Sequence, residues 1–92
     1  MAQVFFPDGK VVFVDASSPP HPKNTRYRLA VGRERWGETD EKVVKIQMEY
    51  DGKISGRRAP SYPFGTDDAF RVMTEVANLI TAHRRSESDN EV

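Results

Sequence analysis

His21, His83 and the adjacent carboxylates Asp67 and Asp68 are the side chains of this sequence best suited to proton transfer. His21 sits in Ser17-Ser18-Pro19-Pro20-His21-Pro22, where three prolines mark a loop exposed to solvent. His83 falls at the edge of the apolar face of a helix, a position more often filled by a packed or surface imidazole than by a catalytic one. Asp67 and Asp68 follow Thr66, and carboxylates in a first helical turn are favoured by the positive end of the helix dipole. Helix-start chemistry therefore accounts for both. Catalysis needs titratable groups that converge, and these are scattered. The sequence has no phosphate-cradling glycine loop, no metal-ligand spacing and no cysteine, which excludes disulfides and thiolate metal sites. The expectation is a protein that is not an enzyme and carries no cofactor or metal.

Cations carry a second chemistry. Arg26, Arg28, Lys45 and Arg57 share one surface of a sheet if the strands that bear them are neighbours. Arg33, Arg35, Arg58 and the only tryptophan, Trp36, join them from adjacent loops. These eight residues are the candidate binding set. Single-strand nucleic-acid binders combine a basic groove with aromatic stacking platforms, but the aromatic part here is limited to Trp36 and Tyr62. A solvated sheet face carries the same residues and is the preferred reading. Trp36 is expected to fold back as a loop anchor; if exposed, it becomes a binding hot spot. Residues 57–63 fit the basic-x-x-Pro-x-x-Pro pattern of polyproline ligands. The same prolines more simply end a strand and stiffen the approach to the helix.

The bulk composition agrees with a modest interaction protein. At 92 residues there is room for one domain, and a hydrophobic share of 37% makes its core thin. Net charge is zero, yet residues 21–58 hold ten Lys/Arg against six Asp/Glu, so the middle is mildly basic. That falls short of a dedicated duplex-DNA binder. No apolar run reaches the ~20 residues of a membrane span, and no signal-peptide pattern opens the chain. Cytoplasm is the expected location.

Periodicity supplies the elements. Strands are expected over residues 3–6, 10–15, 25–31, 42–49 and 53–57, with loops over 16–24, 33–41 and 58–65. In the third strand Tyr27, Leu29 and Val31 point inward; in the fourth, Val44, Ile46 and Met48 do. Two Asp-Gly-Lys segments suggest hairpins. Matching the faces favours three-residue loops: Pro7-Asp8-Gly9, with Phe5 opposite Val11 and Val4 opposite Val12, and Tyr50-Asp51-Gly52, with Met48 opposite Ile54. A helix spans residues 66–85, capped by Thr66. Ala69, Phe70, Met73, Val76, Ala77 and Ile80 form its apolar face, with Val72, Leu79 and His83 at the edge. Residues 1–85 form the domain, and 86–92 a disordered acidic tail.

The fold class is therefore α+β: an antiparallel meander of four to five strands, then one C-terminal helix packed on one face. Five strands make a sheet roughly 20–25 Å wide, whereas a helix is about 10–12 Å across. One helix cannot cover it. The first two strands are apolar on both faces, with Phe5, Val11 and Phe13 on one and Val4, Phe6, Val12 and Val14 on the other. A loop, a second copy or a partner must shield the excess. The functional expectation is a non-catalytic interaction module that self-associates through these strands as a homodimer or docks a protein partner, with the Trp36 loop as contact surface. The alternative is weak single-stranded nucleic-acid binding through the basic face.

Overall fold

Apolar alternation over Tyr27, Leu29 and Val31 and over Val44, Ile46 and Met48 builds the centre of the molecule, a long antiparallel ribbon. In the computed structural model, which describes residues 5–90, the ribbon consists of β3 (Thr25–Trp36) and β4 (Thr39–Tyr50). Tyr27 lies opposite Met48, Leu29 opposite Ile46 and Val31 opposite Val44, so one face is apolar as expected. The remaining elements are β1 (Phe5–Pro7), β2 (Val12–Asp15), β5 (Lys53–Ser55) and α1 (Asp68–Asn90). The sheet is antiparallel throughout, with five strands and α1 after them.

The expected loop over residues 33–41 is instead strand. Trp36 pairs with Thr39 across a two-residue turn in which Gly37 takes φ 63°. Charged residues hid this extension, because the far end of the ribbon has no apolar face to reveal a period. β3 and β4 are twelve residues each, about 40 Å long. The molecule is accordingly elongated, 47 × 31 × 20 Å.

Both Asp-Gly turns differ from expectation. β1 and β2 do not form a hairpin; they lie end to end along the same edge of β3. Phe5 pairs with Glu34 and Val12 with Leu29, while Val4 is outside the described residues. Between Pro7↔Gly32 and Val12↔Leu29 the edge strand advances five residues and β3 only three. The two extra residues loop out at Gly9, φ 95°. A long β3 offers a partner to both short strands, which outweighs a local turn preference. An even insertion preserves the alternation, so Phe5 and Phe13 share one face and Val12 and Val14 the other. At the second site the loop has two residues, Asp51 (φ 51°) and Gly52 (φ 80°), which sets Met48 opposite Ser55 and Glu49 opposite Ile54. Two positive φ values make a type I′ turn, whose twist matches the strands. β5 is three residues long at an edge, so it has little apolar surface with which to overrule that geometry.

The helix is rotated from its expected orientation. Asp68, Val72 and Leu79 are buried against the sheet, whereas Phe70 is 76% and Met73 47% exposed. The core joins Val72 and Leu79 to Val14, Tyr27, Leu29, Val31 and Met48. α1 lies over β2 and β3. Thr66 caps it, its Oγ1 accepting from the amide of Asp68 at 3.3 Å and donating to the Pro63 carbonyl at 2.9 Å. The helix continues to Asn90, through most of the segment expected as an acidic tail; Glu91 and Val92 lie outside the described residues. Among the described residues no helix is long and apolar enough to cross a membrane.

Candidate interaction surface

Antiparallel register places Arg26, Arg28 and Lys45 on the sheet face away from α1, and each has a partner there. Arg26 donates through Nε to Glu49 Oε1 at 2.7 Å and lies 3.8 Å from the centre of the Phe13 ring. Arg28 donates to Gln47 Oε1 at 2.9 Å. Lys45 pairs with Glu34 and stands 5.4 Å from the Phe5 ring centre. Lys45, and after it the indole N–H of Trp36 at 2.9 Å, hold the Glu34 carboxyl below its ordinary pKa. Two carboxylates and an amide thus answer three cations, and the sheet's own phenylalanines occupy the cation faces.

The other candidates do not join this group. Arg33 and Arg35 alternate to the opposite side of the ribbon, where Arg35 meets Asp40 at 3.7 Å and donates to the Gly37 carbonyl at 3.0 Å. Arg58 turns toward Tyr50, 5.6 Å from its ring centre, and Arg57 lies in the exposed segment after β5. Trp36 is no core anchor: it is 56% exposed at the ribbon tip, where its indole N–H donates to Glu34. Tyr62, inside the proline-rich segment, stacks on Tyr27 with ring centres 5.1 Å apart, which turns the segment inward.

One polar cluster escaped the sequence reading. Asp68, completely buried, accepts from the hydroxyl (2.5 Å) and amide (3.0 Å) of Ser17, the phenol of Tyr27 (2.8 Å) and Arg71 (2.6 Å). His21 is no free loop residue, since its Nε2 lies 3.0 Å from the Ser61 carbonyl and 3.3 Å from the Tyr27 hydroxyl. Burial alone would raise the Asp68 carboxyl, but the donors of Ser17, Tyr27 and Arg71 hold it well below the usual carboxylate range. Burial, and then the bond to Asp68, push the Tyr27 phenol up. A carboxylate so firmly ionised and so fully occupied is a poor proton acceptor. The His21 ring meets Ser61 and Tyr27 rather than the Ser17 hydroxyl, which is committed to Asp68. The cluster is a latch tying the proline-rich loop, β3 and the helix start. The only sequence signal for it was the spacing of Asp68 from Val72 and Leu79, four and eleven residues along one helix face. Among the described residues no group of three or more His, Cys, Asp or Glu could hold a metal ion.

Apolar surface is left open elsewhere. Because α1 sits over β2 and β3, the inward face of β4 is only partly covered, and Val44 is exposed. Met73 and Ile80 look onto this side of the helix. A cleft of about 290 Å³ runs between Val44 on β4 and Ile80 and His83 on α1, closed at its end by the ion pair of Lys42 with Glu87. Phe64 and Phe70 add exposed rings at the helix start. Compared with protein-family models, with curated proteins and with solved structures, the chain matches none.

Proposed function

We propose that this chain is a non-catalytic interaction module that self-associates, using the open flank of α1 and the uncovered side of β4. The observation that carries the reading is the exposure of Met73 on α1 and Val44 on β4, beside the cleft that Val44 and Ile80 line. A contiguous apolar surface of this kind marks an interaction site in a stable protein. The accessible surface of 6748 Å² also exceeds the ~5,400 Å² typical of a monomer of this mass. β1 and β2, the expected self-association surface, suit that role less well. Phe5 and Phe13 are engaged by Lys45 and Arg26, and Pro7 and the loop at Gly9 interrupt that edge.

Light scattering coupled to size exclusion tests the reading. The expected mass is that of two chains at micromolar concentration, reduced to one by Met73→Glu with the thermal midpoint unchanged within about 4 °C. A parent protein that stays monomeric at every concentration refutes it. Nucleic-acid binding draws little support, because the cations of the outer face are already satisfied. An oligonucleotide titration at low salt is expected to leave the amides of β3, β4 and β5 in place. Shifts clustered there and abolished by salt would restore that alternative.

A further inference from the structure

We infer that two copies join edge to edge through β4, in a two-fold antiparallel register centred on Val43, making one continuous sheet. This rests on the self-association proposed above and specifies its geometry. β5 pairs only with Met48, Glu49 and Tyr50, so from Thr39 to Gln47 the outer edge of β4 has no partner strand among the described residues. The two-residue turn at Gly37 makes Trp36↔Thr39 a hydrogen-bonded pair, and such pairs then recur at every second residue. Odd-numbered residues of β4 therefore bond to β3. Asp40, Lys42, Val44 and Ile46 point their N–H and C=O groups outward instead. A row of free backbone groups on a flat strand is a template for another strand.

Charge selects the register. A two-fold axis that keeps the sheet faces aligned must pass through a residue, and three positions lie near the middle of the open edge. An axis at Lys42 sets two ammonium groups together. One at Val44 sets Lys45 against valine and Glu41 against glutamine. With the axis at Val43, Glu41 of each copy faces Lys45 of the other, and Val43 meets its own counterpart. Lys42 and Val44 then exchange backbone bonds with Val44 and Lys42 of the second copy. Glu41 has reason to take that partner: its in-chain neighbour across the ribbon is Glu34, a like charge, and Lys45, which holds Glu34 of its own chain, would then stand between two carboxylates. Opposite charges in directly facing cross-strand positions are stabilising, and more so at the closer, non-hydrogen-bonded pairs formed here. Lys42, whose inward-facing charge would blunt the edge, is drawn aside by Glu87. The same axis places both α1 helices on one side of the joined sheet, with their Met73 flanks facing across the uncovered β4 strands.

Covalent trapping and charge exchange test the register. The chain has no cysteine, so Val43→Cys supplies a single thiol. At a non-hydrogen-bonded pair on the axis the Cα atoms would be about 4.5 Å apart, within disulfide range. Mild oxidation is expected to give a covalent dimer with Val43→Cys and none with Ile54→Cys, on the same sheet face but remote from the axis. Glu41→Lys and Lys45→Glu, each checked for native circular dichroism, are each expected to weaken the dimer about tenfold. Mixed in equal amounts, they should pair with each other more tightly than either pairs with itself, since both contacts between positions 41 and 45 across the axis become attractive. A parent dimer that fails to cross-link through position 43, or is indifferent to both reversals, overturns the register and leaves self-association standing. A parent that is monomeric throughout overturns both.

Discussion

Replacing Asp68 with alanine is expected to destabilise the fold by about 3 kcal/mol, lowering the thermal midpoint by about 12–20 °C. The carboxylate is fully buried and receives four hydrogen bonds from three residues. Alanine removes the acceptor, leaves the Ser17 amide and hydroxyl without it inside the protein, and leaves the Tyr27 phenol with the Ser61 carbonyl at 2.8 Å. Arg71 is partly exposed and turns to water. Asp68→Asn, which keeps the volume but cannot accept every bond, should fall between alanine and the parent. The same residue sets an acid dependence. Its folded pKa is depressed relative to an unfolded value near ~3.9. Its stabilisation is therefore fully present at neutral pH and is lost as pH falls below about 5 toward the folded pKa. Urea midpoints at pH 7, 5 and 3.5 read this directly. The parent should lose more stability on acidification than Asp68→Asn does, and equal losses in the two proteins would show that Asp68 is not the sensitive group.

Gly32→Ala is expected to cost about 2 kcal/mol, within the 1–3 kcal/mol range of overpacked sites. A Cβ on Gly32 would lie 2.3 Å from the carbonyl oxygen of Phe6 and 2.8 Å from the Phe5 ring. Both obstacles belong to β1, and one is backbone that cannot rotate away. The short strand must lift off β3, which strips the Phe5 ring from its seat over Gly32 and from Lys45. Gly56→Ala is the matched control, because nothing lies within 4 Å of its Cβ position; its effect should stay within about 0.5 kcal/mol. Amide exchange gives the residue-level readout. The Asp8 amide, bonded to the Val31 carbonyl at 2.8 Å, should lose protection in Gly32→Ala while the amides of β4 keep theirs. Uniform loss of protection across the sheet would contradict a local displacement of β1.

The inward residues of β3 and β4 were legible before any coordinates, because Tyr27, Leu29 and Val31 and Val44, Ile46 and Met48 alternate with polar neighbours. The face split of Phe5 and Phe13 from Val12 and Val14 also held, although the hairpin invoked for it does not exist. An Asp-Gly signal reports that the backbone turns locally, not which strand it pairs with afterwards. At the second Asp-Gly turn, matching apolar residues across strands misjudged the register because β5 is too short for side-chain matching to govern. Exposed Phe70 and Met73 drew the apolar face of α1 to the wrong side. A hydrophobic arc wider than the contact it makes cannot say which part of itself is buried.

Sequence alone determined that this chain is α+β, a meander followed by a capped helix, with more apolar surface than that helix can shield. Period, capping chemistry and composition are local or additive properties, and they survive without knowing neighbours. Tertiary structure decided which surface stays open and what the charged residues do. Arg26, Arg28 and Lys45 read as a basic face only until the pairing of β3 with β4 sets Glu49, Gln47 and Glu34 beside them. Asp68 read as a helix-start charge until the proline-rich loop closed over it. The open edge of β4 exists because β3 and β4 run on to Trp36 and Thr39 while β5 stops at Ser55, a mismatch of lengths that appears only once the strands are paired.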